Sequence, residues 1–311
     1  MKLALVFPGQ GSQSVGMMSR YDTYPVVRDS FAEASAALGQ DLWALVEGAD
    51  ADADALNQTV NTQPVMLAAD IAVYRAWRAA GGAAPAILAG HSLGEYAALV
   101  AGGALAFTDA LPLVRFRAQA MQEAVPAGIG AMAAIMGLDD AGVADACREA
   151  AQGQVVEPVN FNAPDQTVIA GHREAVERAV AVAKTRGAKR AILLPVSAPF
   201  HSLLMKPAAE RLAEYLARVA VDPTVVPVVH NADVRVAETP DAIRAALAAQ
   251  AASPVRWVET ILEFAAQDVT HIVECGPGKV LTGLTKRIAP DLAALPLNDG
   301  DAIAAAIAAT S

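Results

Sequence analysis

The chain has 311 residues, 54% hydrophobic and 18% charged, enough to bury one large core or a large and a small one. Its formal net charge of −10 argues against nucleic acid as a partner, because phosphate binding needs a basic face. No run of about 18 apolar residues is present, since Gly, His, Ser or a charge interrupts each candidate, so no membrane span is expected.

In chain order, the first expected strand is Leu3 to Phe7, ending in the glycine-rich turn Pro8-Gly9-Gln10-Gly11. Residues 28–40 and 64–80, alanine-rich with scattered charges, read as covering helices. A second apolar run, Ala86 to Gly90, ends at Ser92 and is followed by a helical pattern, and another helix is expected over Leu111 to Glu123. The middle of the chain differs: strand 131–138, helix 139–151, strands 155–161 and 167–170, helix 173–186 and strand 190–196 give β-α-β-β-α-β, the order of a ferredoxin-like unit. Beyond it come the apolar run Val225 to Val229 and the strand His271 to Glu274, which ends at Cys275-Gly276-Pro277-Gly278. Short buried strands alternating with helices predict a mostly parallel sheet, with function gathered at the strand C-terminal ends. The expected fold is therefore α/β: a large α/β-hydrolase-like subdomain, residues 1–125 and 199–311, carrying a small inserted ferredoxin-like subdomain at 126–198. Gly128 and Gly130 at one edge, and Ser197-Ala198-Pro199 at the other, suit hinge-like crossings.

Cys147 and Cys275 are far apart and outside any C-x-x-C pair, so neither a disulfide nor a zinc site is suggested and a reducing compartment fits. The opening MKLALVFPGQ has an apolar run too brief for a secretory signal, and the expected location is the cytoplasm.

Gly90-His91-Ser92-Leu93-Gly94 matches G-x-S-x-G, a strand-to-helix elbow in which small flanking residues allow a sharp turn and expose the serine hydroxyl. The helix after it aims backbone N–H groups at the place where an oxyanion would form. The plainer alternative is a serine N-cap on an ordinary helix. A serine at neutral pH needs a base, and the candidates are His91, His172, His201, His230 and His271. His91 should point away from its neighbour, while His172 and His271 sit where surface or packing roles are usual. His201 lies on a loop entering the cleft and His230 ends an apolar run, so His201 is preferred and His230 held in reserve. The turn after the first strand lacks the third glycine of G-x-G-x-x-G and any Walker lysine. It can instead lend the backbone N–H of Gln10 to an oxyanion hole shared with Leu93. Arg115 and Arg117 lie on an apolar helix, and spacing alone does not decide whether either faces inward to meet a substrate carboxylate.

Taken together the residues resemble the malonyl-CoA:acyl-carrier-protein transacylases of type II fatty-acid synthesis and, more distantly, polyketide synthase acyltransferase domains. The resemblance runs over nearly the whole chain, through FPGQGSQ at 7–13, TQP at 62–64, GHSLGEYAAL at 90–99, RFRAQAMQEAVPAG at 115–128 and GAMAAIMGL at 130–138. It continues through NFNAPDQTVIAG at 160–171, SAPFHSLLM at 197–205, SPVRW at 253–257 and ECGPGKVL at 274–281. What it implies is Ser92 as the acylated nucleophile, His201 as its base, and the backbone N–H groups of Gln10 and Leu93 as the oxyanion hole. His201 would be oriented by a main-chain carbonyl, here that of Gln250, in place of a third acid. Arg117 would bind the malonyl carboxylate, with His91, Gln63 and Asn160 as further pocket residues. Phe200 beside the histidine resembles the malonyl-selecting members, since a bulky side chain there would crowd an extra methyl group, for a preference of about 1–3 kcal/mol.

The resemblance implies a ping-pong transfer of malonyl from malonyl-CoA to the phosphopantetheine thiol of holo acyl carrier protein, with no metal or bound cofactor and coenzyme A entering as substrate. Because carrier proteins are acidic, a basic landing site is expected. Lys184, Arg186, Lys189 and Arg190 cluster at the end of the small subdomain and Lys286-Arg287 follows GPGKVL, with Lys189, Arg190, Lys286 and Arg287 the principal docking candidates. A monomer is expected. The competing readings are a serine esterase using the same elbow, the same transfer serving polyketide or malonate-decarboxylase pathways, and a catalytically silent docking module.

Overall fold

The computed structural model describes residues 1–196 and 198–310. Its first sheet contains β1 (Leu3–Phe7), β2 (Ile87–Gly90), β7 (Val228–Val229), β8 (His271–Glu274) and β9 (Ala293–Pro296), in the order β7-β2-β1-β8-β9 with every pairing parallel. Alternation along β1 explains its position between two helical layers. Leu3, Leu5 and Phe7 join a core with helices Pro25–Leu38, Thr59–Ala79, Gly94–Ala101 and Phe107–Glu123, while Ala4 and Val6 face Trp257, Ile261 and Phe264 of the opposite layer. All five β1 residues are buried, as a parallel sheet covered on both faces requires.

The second sheet is antiparallel: β3 (Gly130–Met136), β4 (Val156–Ala163), β5 (Gln166–His172) and β6 (Arg190–Leu193), in the order β4-β5-β3-β6. Helices Asp140–Ala151 and Arg173–Thr185 cover one face through Val143, Ala146, Cys147, Val176 and Ala179, giving the ferredoxin-like unit its own core. Its opposite face, with Met132, Ala134 and Val168, packs on Met121, Phe200 and Met205 and so joins the larger body. A second connection is backbone pairing: Phe161 N–H donates to the Val255 carbonyl and Val255 N–H to that of Val159, stitching SPVRW to β4. Of the expected crossings, Ser197 lies outside the described residues. Pro199 packs so closely on Gly130 that a Cβ there would come within 2.3 Å of its ring.

Several expected boundaries shift. The helices expected from residue 64 and Leu111 begin at Thr59 and Phe107, with Pro64 and Pro112 inside them. Each proline is the sixth residue of its helix, so a single backbone bond is lost just past the first turn and the helix still starts upstream of it. The run Val225–Val229 supplies only the two-residue β7, since Val225 is exposed and Pro227 cannot donate to a ladder. Strand β9, not anticipated, extends the sheet beyond β8. Glu274, in the ECGPGKVL stretch, accepts from the N–H groups of Leu281 and Thr282 and from the Thr282 hydroxyl, and so caps the helix Val280–Ile288. Among the described residues no helix is long and apolar enough to cross a membrane.

Candidate active site

The C-terminal ends of the central strands converge on one cleft. β2 runs into the elbow, where Ser92 adopts a left-handed φ of 52° and the helix Gly94–Ala101 begins two residues later. The flanking glycines are steric requirements: a Cβ on Gly90 would lie 1.9 Å from the Gly94 carbonyl, and one on Gly94 would lie 2.1 Å from the Phe7 carbonyl. The strained serine is held by Asn231, whose Oδ1 accepts the Ser92 N–H at 2.7 Å while its Nδ2 donates to the Gly90 carbonyl at 2.7 Å.

His201 follows β6 and the second crossing, also in a left-handed conformation, φ 64°. Its Nε2 stands 2.6 Å from Ser92 Oγ, and its Nδ1 stands 2.9 Å from the main-chain carbonyl of Gln250. A carbonyl only accepts, so Nδ1 carries the proton and Nε2 presents its lone pair to the serine hydroxyl. Burial, and next the charge of nearby Arg117, push the His201 pKa down to about 3. The imidazole therefore stays neutral, the form a base needs, well below neutral pH. Acylation kcat/KM is expected to stay nearly flat from about pH 6.5 down to pH 5, where an unperturbed histidine would cost about tenfold per unit below its pKa. An acid limb centred near pH 6.5 in a rate profile at constant ionic strength would contradict this environment.

Arg117 is the inward-facing arginine, with 2% of its surface exposed. It donates from Nη1 to Gln63 Oε1 at 2.7 Å, and from Nη2 to Gln250 Oε1 at 2.9 Å and Ser92 Oγ at 3.2 Å. Its guanidinium also lies over the Tyr96 ring, 5.4 Å from the centroid. Arg115, two residues earlier, turns away to Gln40. The other histidines also separate: His230 pairs with Glu95 at 2.8 Å, His172 accepts from the Val155 N–H, and His271 contacts Thr270. His91 turns from Ser92 to Asn162 Oδ1 at 2.8 Å and lines the cleft, kept neutral by burial.

The cleft has a volume of about 380 Å³ and is lined by Gln10, Gln63, His91, Ser92, Leu93, Arg117, Asn160, Phe200 and His201, together with Met121, Met132 and Arg190. Gln10 and Leu93 flank the serine on two loops packed so tightly that a Cβ on Gly9 would sit 2.4 Å from the His91 carbonyl. A chain of side chains ties Gln10 to the arginine: Arg117 donates to Gln63, whose Nε2 donates to Thr59 Oγ1, which donates to Gln10 Oε1. One member of each basic group reaches the cleft's surroundings, Arg190 as a lining residue and Arg287 through the lining residue Gln166. Arg287 ion-pairs with Asp165 and donates to Gln166, which shares a row of the small sheet with Met136 and Arg190. Arg186 instead pairs with Glu149 and Asp145 on the helical face of that unit. Sequence reading missed Asn162, Asn231, Glu95 and the Gln250 side chain, although Asn162 lies within NFNAPDQTVIAG and Glu95 within GHSLGEYAAL. Among the described residues, no group of three or more His, Cys, Asp or Glu side chains is placed to hold a metal ion.

An apolar-walled cleft with a serine hydroxyl on an elbow, a neutral imidazole on its oxygen and a buried guanidinium beyond defines a class of protein, those that move an acyl group through a serine. The chain matches the acyl transferase domain family over residues 4–290 and belongs to that family. Among its relatives, the malonyl CoA-acyl carrier protein transacylase of Escherichia coli K12 is 58% identical over 307 residues, covering 98% of this chain and 99% of that one. The acyl-carrier-protein S-malonyltransferase of Burkholderia pseudomallei 1710b superposes with a TM-score of 0.97 at 60% identity, over 99% of this chain and 100% of that one. A malonyl-transacylase solved in complex with a type II PKS acyl-carrier protein matches with a TM-score of 0.97 at 51% identity, over 99% of this chain and all of that one.

Proposed function

We propose that the protein transfers the malonyl group of malonyl-CoA to the phosphopantetheine thiol of acyl carrier protein by a ping-pong route through malonyl-Ser92. The observation that carries this reading is the placement of a buried guanidinium 3.2 Å from the hydroxyl of a histidine-paired serine. A hydrolase of neutral esters has no use for that charge, whereas a substrate bearing a terminal carboxylate supplies its counter-ion.

In the first half-reaction Ser92 Oγ attacks the thioester carbonyl carbon and its proton passes to His201 Nε2. The carbonyl oxygen becomes the oxyanion, held by the backbone N–H groups of Gln10 and Leu93. The C–S bond then breaks, and the departing coenzyme A sulfur takes the proton from His201. In the second half-reaction the carrier thiol gives its proton to His201 and attacks the ester carbonyl, and Ser92 recovers its proton as the C–O bond breaks. The Gln250 carbonyl keeps the imidazole in the required tautomer at both stages. Arg117 binds the malonyl carboxylate, with Gln63, His91 and Asn160 completing the pocket and Phe200 limiting its width. No metal or resident cofactor enters these steps.

Residues 126–198 form the inserted subdomain in this reading, and residues 1–125 and 199–311 the catalytic body. The location is the cytoplasm and the working unit a monomer. Exposed Lys189, Arg190, Lys286 and Arg287 serve as the landing site for the acidic carrier. Charge reversal at Lys189 and Lys286 together, neither of which lines the cleft, is expected to raise the carrier KM by roughly tenfold at low salt and to spare acylation by malonyl-CoA. Unchanged carrier kinetics under those conditions would remove the patch from the mechanism. Fatty-acid elongation is the pathway supplied. A polyketide carrier is the second reading, favoured by the 51% identical transacylase whose structure holds a type II PKS carrier, and discharge rates with the two carriers separate them.

Intact-protein mass spectrometry after brief mixing with malonyl-CoA is the test of the function. A single malonyl adduct is expected, scarce with acetyl-CoA and discharged by holo carrier protein. Free coenzyme A and malonate accumulating without an adduct would instead indicate a hydrolase.

A further inference from the structure

The arginine that faces the substrate is buried close to a buried carboxylate, yet the two are not paired. Glu95 and Gln250 are both fully buried. Glu95 Oε1 accepts from His230 Nδ1 at 2.8 Å, and its Oε2 accepts from the Asn231 N–H at 2.9 Å and from Gln250 Nε2 at 2.9 Å. Gln250 Nε2 donates as well to the Ser92 carbonyl at 2.8 Å, and its Oε1 accepts from Arg117 Nη2 at 2.9 Å. The carboxamide is thus interposed between Glu95 and Arg117. Only one orientation satisfies it, because a carboxylate and a carbonyl only accept and a guanidinium only donates.

We propose that the Gln250 side chain, anchored by Glu95, is a specificity-positioning element: it fixes Arg117 in the cleft and keeps the Glu95 carboxylate from pairing with it. This rests on the malonyl reading of the cleft. A direct Glu95–Arg117 pair would neutralise the guanidinium before substrate arrived, and the malonyl carboxylate would have to displace a buried partner at the cost of leaving that charge unpaired. The neutral amide gives Arg117 an acceptor that fixes its geometry and leaves its charge for the acyl group. His230 completes the arrangement, since burial works against its protonation but Glu95 outweighs it and raises the imidazole pKa, so that the carboxylate shifts its hydrogen-bonded neighbour toward the charged form. The same carboxylate steadies Asn231, which holds the Ser92 N–H, so one buried group orients both the nucleophile and the acyl-selecting cation.

Gln250→Glu is the decisive variant. It keeps the main-chain carbonyl and nearly the same shape, but sets a carboxyl group against Arg117. The malonyl-to-acetyl ratio of acylation kcat/KM is expected to fall at least about tenfold, mainly through a higher KM for malonyl-CoA. Glu95→Ala is expected to lower the ratio in the same direction. Glu95→Gln should restore it, because a carboxamide there still accepts from Gln250 and Asn231 and can donate to a neutral His230. The ratio is the reading a merely structural role would not move, since general loosening lowers both donors together. If Glu95→Ala does not fold, Gln250→Glu and Glu95→Gln decide between them. A wild-type malonyl adduct with an unchanged ratio in Gln250→Glu, or both donors falling equally, overturns the inference alone. Absence of any malonyl adduct on the wild-type enzyme overturns the malonyl reading and the inference with it.

Discussion

Ser92→Ala is expected to abolish malonyl transfer, lowering kcat by roughly 10⁴- to 10⁶-fold, the loss usual when the nucleophile of a serine–histidine pair is removed. The expectation follows from the 2.6 Å contact between Ser92 Oγ and His201 Nε2 and from the absence of a second hydroxyl at the elbow turn, whose residues are Gly90-His91-Ser92-Leu93-Gly94. His201→Ala should cost nearly as much, because in the proposed route the imidazole moves the proton in both half-reactions. The two losses should not add. With the hydroxyl gone the base has no proton to take, so the double variant should be no slower than Ser92→Ala. Transfer of labelled malonyl from malonyl-CoA to holo carrier protein measures all three. A double variant slower by the product of the single losses would show that the two residues act independently.

Arg117→Ala should lower kcat/KM for malonyl-CoA by about two orders of magnitude, near 3 kcal/mol, and raise acceptance of acetyl-CoA relative to it. The guanidinium is buried with the neutral Gln63, Gln250 and Ser92 as its partners, so in the proposed route the malonyl carboxylate supplies the matching charge. Arg117→Lys should recover little, since an ammonium cannot reproduce the planar fork that meets Gln63 and Gln250 together. Removing this cation also removes one cause of the low His201 pKa. The acid limb of the alanine variant should therefore lie at higher pH than that of the wild type. Competition between malonyl-CoA and acetyl-CoA, read as the ratio of the two serine adducts, gives the selectivity directly. An unaltered ratio would remove Arg117 from acyl selection.

The elbow was legible because most of its pattern is local. Gly90 is demanded by its contact with Gly94 inside the elbow, and a strand before and a helix after are visible in hydrophobic patterning, whereas Gly94 answers to the distant Phe7 carbonyl of β1. The ferredoxin-like unit was legible for the same reason, as its two helices and four strands alternate within one continuous stretch. Its strand ends were misjudged by a few residues, because where a ladder stops depends on the neighbouring strand. Arg115 and Arg117 show the limit: both stand on one helix two residues apart, and only packing turns the second toward the serine and the first toward Gln40. The choice of base had the same character. His201 on its loop and His230 at the end of an apolar run were both open in the sequence, yet one meets Ser92 and the other is taken up by Glu95.

The sequence by itself determined the α/β class, the serine elbow, the inserted antiparallel unit and the set of residues from which a site was to be built, because each follows from spacing within a short segment. Only the tertiary structure decided which of them meet. Gln250 lies 49 residues from His201 and 158 from Ser92, and its side chain joins Arg117 to Glu95 while its carbonyl orients the imidazole. Asn231, 139 residues from the serine, holds the strained N–H. Such partners carry no periodicity or spacing of their own. They are chosen when buried donors and acceptors, cut off from water, must find one another across the folded core.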